Sequence, residues 1–266
     1  MNKLTQRPRL LFISRAYPPT LGGIENQNFA LSQGLADYFD VTRLVNRRGK
    51  RFLPFFLPWV MLASLWLHRR YDIVLLGDCV LAINGWFIRK VLRKPVGMVV
   101  HGLDLTFRSR FYQWLWVRHA MRAISCVIAV SRATRDVAIQ RGLDPARCTF
   151  IPNGIDITAA TAIGTRNDLD QLTQAKTSNR FVILTLGRLV KRKGAAWFTD
   201  QVLPRLPSEV VFVIAGAGPE HRAIVEIIER KQLQDRVVLL GQVSEHAKQI
   251  LLSNADLYVQ PNLPVD

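Results

Sequence analysis

The sequence predicts an α/β protein built from two doubly wound parallel sheets. Short apolar, β-branched runs alternate with helix-length segments along the 266 residues, a pattern typical of parallel sheets covered by helices. The alternation stops between residues 158 and 179, where polar and small residues show no hydrophobic period, and a new series begins at Phe181. We therefore expect a first domain at residues 1–157, a linker at 158–179 and a second domain at 180–266.

Each expected strand is a short run rich in Val, Ile, Leu or Phe. The first domain has such runs at 9–14, 41–45, 72–76, 96–100, 126–130 and 149–151, and the second has them at 181–186, 210–215, 237–240 and 257–260. Helix-length segments lie between them, for example at 24–38, 111–123, 132–141, 193–202, 220–231 and 245–252. Four strands are fewer than the five or six usual in a sheet, so the second domain is expected to be incomplete.

The net charge of +16 lies mostly in the first domain. The residues up to Asp156 include 23 Lys and Arg and 9 Asp and Glu, whereas the remainder includes 13 Lys and Arg and 11 Asp and Glu. A strongly basic half indicates an anionic partner, such as a membrane surface, a phosphorylated acceptor or nucleic acid. A basic surface without a function is the alternative.

The cysteines indicate the compartment. Cys79, Cys126 and Cys148 are widely spaced in apolar runs, which argues against a disulfide framework or a metal cluster and is typical of a reducing cytoplasm. The first residues lead into a strand-like run without the apolar core of a signal peptide. A cytoplasmic location is therefore expected.

Residues 52–67 are almost wholly apolar, with four cations at 47–51 and two at 69–70. Sixteen residues interrupted by two prolines are too few to span a bilayer, which takes about 20. Two interpretations remain open. The segment is either a helix buried ahead of the strand at 72–76, or an interfacial aromatic and basic segment lying on anionic lipid.

Two motifs of the first domain follow strands at their carboxyl ends, where parallel sheets bind ligands. Gly22 and Gly23 precede a helix, so the backbone can approach a phosphate and direct N–H groups at it; a tight turn is the ordinary alternative. The run is not a dinucleotide fingerprint, so NAD or FAD binding is not supported. His101, in the run His-Gly-Leu-Asp, can bond a hydroxyl or stabilise developing charge, although a single His is more often structural.

The second domain carries a basic motif after the strand at 181–186. Arg188 and Lys193 lie in a glycine-bracketed run and can neutralise a diphosphate by fork and point-charge contacts. A solvated basic turn is the alternative. Gly216 opens a Gly-Ala-Gly-Pro turn at the next helix start. HExxH, paired-cysteine and P-loop patterns do not occur in the sequence, so no metal or other cofactor is expected.

Taken in this order, the motifs resemble those of the retaining glycosyltransferases with the GT-B fold, the large family four. The matching runs are GGIE at 22–25, HGLD at 101–104, AVS at 129–131, PNGID at 152–156, GRLVKRKG at 187–194, GAGP at 216–219 and LGQVSEHAK at 240–248. The resemblance covers nearly the whole chain. It implies two Rossmann-like domains facing a cleft.

The resemblance also implies roles for these residues. Arg188 and Lys193 match the pair that holds the donor diphosphate. The other residues of the donor side are Gly22, Gly23, Gly216, Val243 and Lys248, of which Val243 lies in the stretch that meets the nucleotide base. His101 is the expected catalytic residue near the transferred sugar, with Glu25 and Asp104 in the vicinity of the acceptor and sugar. No metal is needed, because the basic pair and helix ends offset the leaving charge, and front-face attack retains the anomeric configuration while the donor phosphate takes the acceptor proton.

The sequence departs from the family at its end. The family has an E-x7-E motif after the Pro-Asn run, where it binds the sugar and the ribose, and this chain ends at Asp266, where that motif should begin. We therefore expect a truncated second domain and a chain that is inactive by itself.

The predicted function is transfer of a sugar from a nucleotide-sugar donor to a lipid-linked or cell-envelope glycan acceptor, by a hexosyltransferase peripheral at the inner face of the cell membrane. The expected partners are the donor, the acceptor and an anionic membrane surface, and not nucleic acid. Two alternatives remain open: a non-catalytic basic membrane-binding protein, and a GT-B nucleotide-sugar epimerase, against which the GRLVKRKG run weighs.

Overall fold

The computed structural model describes residues 7–20, 22–154, 163–174 and 177–264. The chain divides into two compact units, Met1–Gly154 and Ile155–Asp266. Each unit contains its own parallel sheet covered by helices, with six strands in the first and four in the second. The predicted α/β class with two parallel-sheet domains, the second smaller, is confirmed.

The first sheet consists of β1 (Arg9–Ser14), β2 (Asp40–Val45), β3 (Ile73–Leu76), β4 (Val96–Val100), β5 (Cys126–Ala129) and β6 (Cys148–Phe150). Its order is β2-β1-β3-β4-β5-β6, and every pairing is parallel. All carboxyl ends therefore lie at one edge. The order reverses at β1, between β2 and β3, which creates the switch point where open α/β sheets bind ligands.

Helices cover both faces of this sheet: α1 (Gly23–Gly34), α2 (Leu53–Trp66), α3 (Ala82–Val91), α4 (Arg110–Tyr112, continued as a π-helix over Gln113–Ala120) and α5 (Arg132–Gln140). Because successive side chains of a strand point to opposite faces, β1 contributes to two cores. Leu11 and Ile13 join the core that includes α2, and Leu10 and Phe12 join the core on the α1 side.

The apolar segment at 52–67 forms α2. Phe56 and Val60 are buried in the first-unit core, and Ser64 continues the same buried face. Other large apolar side chains of this helix, including Phe55 and Trp66, are exposed. The segment therefore has one face packed on the sheet, as the first interpretation expects, and a second apolar face open to solvent.

The second sheet consists of β7 (Phe181–Leu186), β8 (Val210–Ala215), β9 (Val237–Gly241) and β10 (Leu257–Tyr258), in the parallel order β10-β7-β8-β9. Its helices are α6 (Arg166–Leu172), α7 (Ala195–Trp197, continued as a π-helix over Phe198–Val202), α8 (His221–Arg230) and α9 (Glu245–Asn254). The loops that follow β7, β8 and β9 meet at one edge.

Part of the predicted linker is helical. Residues 166–172 form α6, whose first turn has a capping box of Thr165 and Asp168, and Leu169 is fully buried with Val182 and Leu184. Only one residue of this short helix is buried, so the sequence shows no hydrophobic period there. The division between the units falls after Gly154. The linker residues 158–162, 175 and 176 lie outside the described residues.

Several element ends also differ from the prediction, most of them by one or two residues. α1 ends at Gly34 and is followed by a 3₁₀ turn over Leu35–Asp37, whereas the sequence predicted one helix to residue 38. β10 pairs over two residues only, not four. Within the described ranges, no helix has the length and apolarity needed to cross a membrane.

Candidate functional site

The basic loop of the second unit follows β7 and lines a shallow recess. Arg188 is exposed and Lys193 is half-buried. The other residues lining this recess include Thr185, Gly187, Leu189, Ala195 and Gln260. Neither cation forms an ion pair with an acidic group of the described residues. Burial, and then the nearby Arg192, lowers the pKa of Lys193. The recess therefore presents uncompensated positive charge, which suits an anion.

Glycines set the conformation of this loop. Its backbone continues the β7–β8 ladder, with Gly187 N donating to Ala215 O and Leu189 N donating to Ala217 O, both at 3.0 Å. A Cβ on Gly216 would overlap the carbonyl oxygen of Gly187. Gly194 has a φ of 69°, and a Cβ there would overlap the carbonyl oxygen of Pro261. Glycine is therefore required where the loops after β7, β8 and β10 pack together.

The remaining predicted donor residues follow β9. Val243 is half-buried and packs against the core that contains Leu251. The Lys248 Nζ lies 2.9 Å from Glu245 Oε1, and both side chains are well exposed. Lys248 is thus paired within α9, and its ammonium can turn to a ligand only by giving up this weak surface contact.

In the first unit, His101 and Asp104 tie together the loops after β3 and β4. The His101 Nε2 lies 3.0 Å from the carbonyl oxygen of Gly77, which can only accept, so Nε2 carries the proton and Nδ1 of a neutral ring is left as an acceptor. The buried Asp104 accepts from His101 N through Oδ1 and from Cys79 N through Oδ2, each at 3.0 Å. Asp104 therefore holds the backbone that positions His101.

A buried ion pair at the same edge was missed by sequence reasoning. The Arg15 Nε, just after β1, lies 2.7 Å from Oδ2 of Asp78, just after β3. Asp78 is completely buried, and burial raises the pKa of its carboxyl, while the charge of Arg15 acts in the opposite direction. The available signal was a charged residue within two positions of the end of each of two apolar strands.

Gly22, Gly23 and Glu25 lie at the start of α1. Gly22 precedes the helix without a side-chain cap, and Glu25 is in its first turn. The first N–H groups of α1 thus lack a side-chain acceptor and can receive one from a ligand. Glu25 is half-buried, with its carboxylate close to Gly22.

The structure therefore forms two groups of predicted residues, one in each unit. Gly22, Gly23, Glu25, His101 and Asp104 follow strands at the carboxyl edge of the first sheet. The second group, at the carboxyl edge of the second sheet, is Arg188, Lys193, Gly216, Val243 and Lys248. Ile155 and Asp156 of the PNGID run lie outside the described residues. Among those that are described, no group of three or more His, Cys, Asp and Glu is placed to hold a metal ion.

Two doubly wound parallel-sheet units, the second with a cationic glycine loop at its carboxyl edge, define the class as a GT-B glycosyltransferase fold. The chain belongs to glycosyltransferase family 4. The family model described as Glycosyltransferase Family 4 matches residues 10–159. A second model, described as Glycosyl transferases group 1, matches residues 180–265.

Three similar proteins illustrate the relationship. A phosphatidylinositol N-acetylglucosaminyltransferase subunit from Arabidopsis thaliana is 26% identical over 96% of this chain and 62% of its own length. UDP-Gal:alpha-D-GlcNAc-diphosphoundecaprenol alpha-1,3-galactosyltransferase of Escherichia coli is 25% identical over 77% of this chain and 55% of its own length. HepE of Anabaena, solved in complex with UDP, superimposes with a TM-score of 0.72 and 23% identity over 96% of this chain and 74% of that chain. The chain thus spans less than two thirds of the two sequence relatives.

Proposed function

We propose that this protein transfers a hexosyl group from a nucleotide-sugar donor to a lipid-linked or cell-envelope glycan acceptor, with retention of anomeric configuration. The observation that carries the proposal is the pair Arg188 and Lys193, two cations without acidic partners among the described residues, at a glycine-bound loop on the carboxyl edge of β7. A diphosphate is the anion that such a pair can hold at two points.

A uridine diphosphate donor is supported by the relatives. HepE was solved with UDP, and the name of the Escherichia coli relative includes UDP-Gal. In this proposal Arg188 and Lys193 hold the diphosphate, Gly216 allows the loops to pack closely beside it, and Val243 contacts the base. Lys248, Gly22 and Gly23 are the further donor-binding residues of this proposal.

The reaction follows from charge. The bond between the anomeric carbon and the diphosphate oxygen breaks, an acceptor hydroxyl oxygen bonds to that carbon on the same face, and the hydroxyl proton passes to the departing diphosphate. Arg188 and Lys193 stabilise the negative charge that develops on the leaving group, so no metal or other cofactor is required. His101 Nδ1 accepts a hydrogen bond from a sugar hydroxyl, in a position held by Asp104, and Glu25 binds sugar or acceptor hydroxyls.

A lipid-linked acceptor is favoured by the segment after His101. Leu103, Phe107, Phe111 and Trp114 are all exposed, which is unusual for four large apolar side chains within a short stretch of a protein surface. The Gln113 Nε2 donates to the carbonyl oxygens of Leu105 and Phe107 at 2.9 and 2.8 Å, so this stretch has a defined path. Exposed apolar side chains that follow the histidine proposed to bind the sugar suit an acceptor with a lipid anchor. We place the protein at the inner face of the cell membrane.

Calorimetric titration of UDP, GDP and ADP into the protein tests the donor site. We expect one nucleotide to bind, and Arg188→Ala/Lys193→Ala to weaken its binding at least about 100-fold, because two charge-assisted contacts are lost. The matched control is Lys191→Ala/Arg192→Ala, which removes two exposed cations of the same loop.

An equal loss of affinity in the control would show that the general positive charge of the loop explains the effect. It would contradict a specific diphosphate site at Arg188 and Lys193. Absence of binding to all three nucleotides would remove the main support for a transferase. With a donor identified, NMR of the anomeric proton in the product tests retention, and an inverted product would overturn that part of the proposal.

A further inference from the structure

The outer face of α2 exposes large apolar side chains in a single stripe. Phe55 is 69% exposed, Trp59 49%, Leu62 69% and Trp66 77%. Their spacing of four, three and four residues places them on one side of a helix. At 1.5 Å per residue, the stripe from Phe55 to Trp66 is roughly 16 Å long. This length of apolar surface marks an interaction site rather than an ordinary protein surface.

The opposite face of the same helix accounts for its packing in the fold. Phe56, Val60 and Ser64 are buried at a spacing of four residues. The outer stripe is therefore not needed to attach α2 to the sheet. A helix that is apolar on every side is usually buried on every side, so the outer face of α2 requires a further partner.

The charges at the two ends of α2 indicate what this partner is. The exposed cations are Arg47, Arg48, Lys50, Arg51, Arg69 and Arg70. The sequence has no Asp or Glu between Asp40 and Asp72, and none of the six cations forms an ion pair with the described residues. Two of them lie over aromatic rings of the segment, Arg48 at 4.9 Å from Phe52 and Arg70 at 5.4 Å from Trp66. Cations thus border the apolar stripe at both ends.

We propose that α2 is a membrane-docking helix that lies in the plane of an anionic lipid bilayer, with Phe55, Trp59, Leu62 and Trp66 inserted among the lipids and the flanking cations on the phosphate groups. The combination of an apolar face with basic flanks is what interfacial helices use, and each cation near an anionic surface adds attraction. The helix is 14 residues long, which fits lying on a bilayer and not crossing it.

The charges also argue against a second copy of this chain as the occupant. A two-fold dimer packs the same patch against itself. It would therefore bring six unpaired cations against six others. An anionic bilayer offers acyl chains to the apolar stripe and phosphate groups to the cations.

Co-sedimentation with vesicles of equimolar phosphatidylcholine and phosphatidylglycerol tests the proposal. We expect binding at least about tenfold tighter than to phosphatidylcholine alone. Phe55→Ser/Trp66→Ser should weaken binding at least about tenfold, whereas the control Tyr38→Ser/Trp197→Ser, which removes two exposed aromatic side chains elsewhere, leaves it unchanged. Lys50→Gln/Arg69→Gln should weaken it more than Arg89→Gln/Lys90→Gln does.

Unchanged vesicle binding by Phe55→Ser/Trp66→Ser would overturn the proposal, as would equal losses in each variant and its control. Sedimentation equilibrium without lipid examines the second-copy alternative, and a dimer dissociated by Phe55→Ser/Trp66→Ser would also overturn it. The surface does not include Arg188 or Lys193, so nucleotide titration of the same variants separates failure of docking from failure of the proposed donor site.

Discussion

Within the candidate donor site, the fold changes the pKa of Lys193. Its side chain is half-buried, and burial together with Arg192 lowers its pKa below the ordinary 10.5. An ammonium in this position is less hydrated than one in solution, so a diphosphate recovers more of its charge interaction on binding. The sequence supplies the lysine, whereas its burial depends on how the loop packs.

A pH series tests this property. Affinity for the bound nucleoside diphosphate should fall as the pH rises through the lowered pKa of Lys193, because the neutral amine no longer attracts the phosphates. Lys193→Arg should keep its affinity to higher pH, since a guanidinium remains protonated. Calorimetry of both proteins across the alkaline range measures this difference. Any change in the protonation of the nucleotide itself affects both proteins equally. Identical pH profiles would show that Lys193 does not contact the diphosphate.

The pair of Arg15 and Asp78 shows the limit of sequence reasoning at the residue scale. Both residues lie within two positions of a strand end, but the strands are β1 and β3, which are separated by α1, β2 and α2 in the chain. Only the sheet order β2-β1-β3 brings the two side chains to 2.7 Å. A pattern within one strand or one loop carries no information about which other strand becomes its neighbour.

At the scale of elements, Asp104 joins the loops after β3 and β4. Its two carboxylate oxygens accept from the backbone of Cys79 and His101, and the His101 ring contacts Gly77. These three bonds hold the two loops as one unit next to the sheet switch point. The expected position of His101 at a substrate therefore depends on a carboxylate that need not touch the substrate.

Hydrogen exchange tests whether Asp104 holds these two loops together. Asp104→Ala should lower the free energy of unfolding by about 1–3 kcal/mol, because two buried N–H groups lose their acceptor. The amides of Cys79 and His101 should exchange faster, while those of β7 and β8 stay unchanged. The control Asp144→Ala removes an exposed carboxylate that caps a short turn in the same unit. Unchanged exchange at Cys79 and His101 would contradict the role given to Asp104.

The elements themselves were largely predictable because their signals are local. β1, β4, β7 and β8 begin and end where the apolar β-branched runs do. α6 was missed because one buried residue, Leu169, makes no period. β10 was predicted too long, because the apolar run continues to Val259, whereas pairing with β7 extends over two residues only.

At the scale of the whole molecule, each unit has a core of its own. Phe12 is fully buried in the first unit and Phe212 in the second, where its ring lies 4.6 Å from that of Phe198. The candidate donor loop that follows β7 is supported by the second core, because β7 and β8 form both the core and the edge from which the loop leaves.

Substitution of each phenylalanine tests whether the two cores support different functions. Phe212→Ala should cost about 3–5 kcal/mol, with loss of amide protection concentrated in β7–β9 and weaker nucleotide binding. Phe12→Ala should cost a similar amount, with the loss concentrated in the first sheet and nucleotide contacts of the second unit retained. Hydrogen exchange detected by mass spectrometry measures both. Loss of protection spread evenly over the chain in either variant would show a single cooperative core instead.

The sequence by itself determined the α/β class, the two series of strands, the glycine-bound basic loop and the ordered motifs that identify the family. These features depend on residue type and short-range spacing, which are written directly in the chain. The roles predicted for the site residues and the retention of configuration stay predictions. Only the tertiary structure decided that one face of α2 is buried and the other exposed, that Arg15 pairs with Asp78, and that Asp104 braces His101. Each of these depends on which distant elements become neighbours, and burial and pairing follow from that packing.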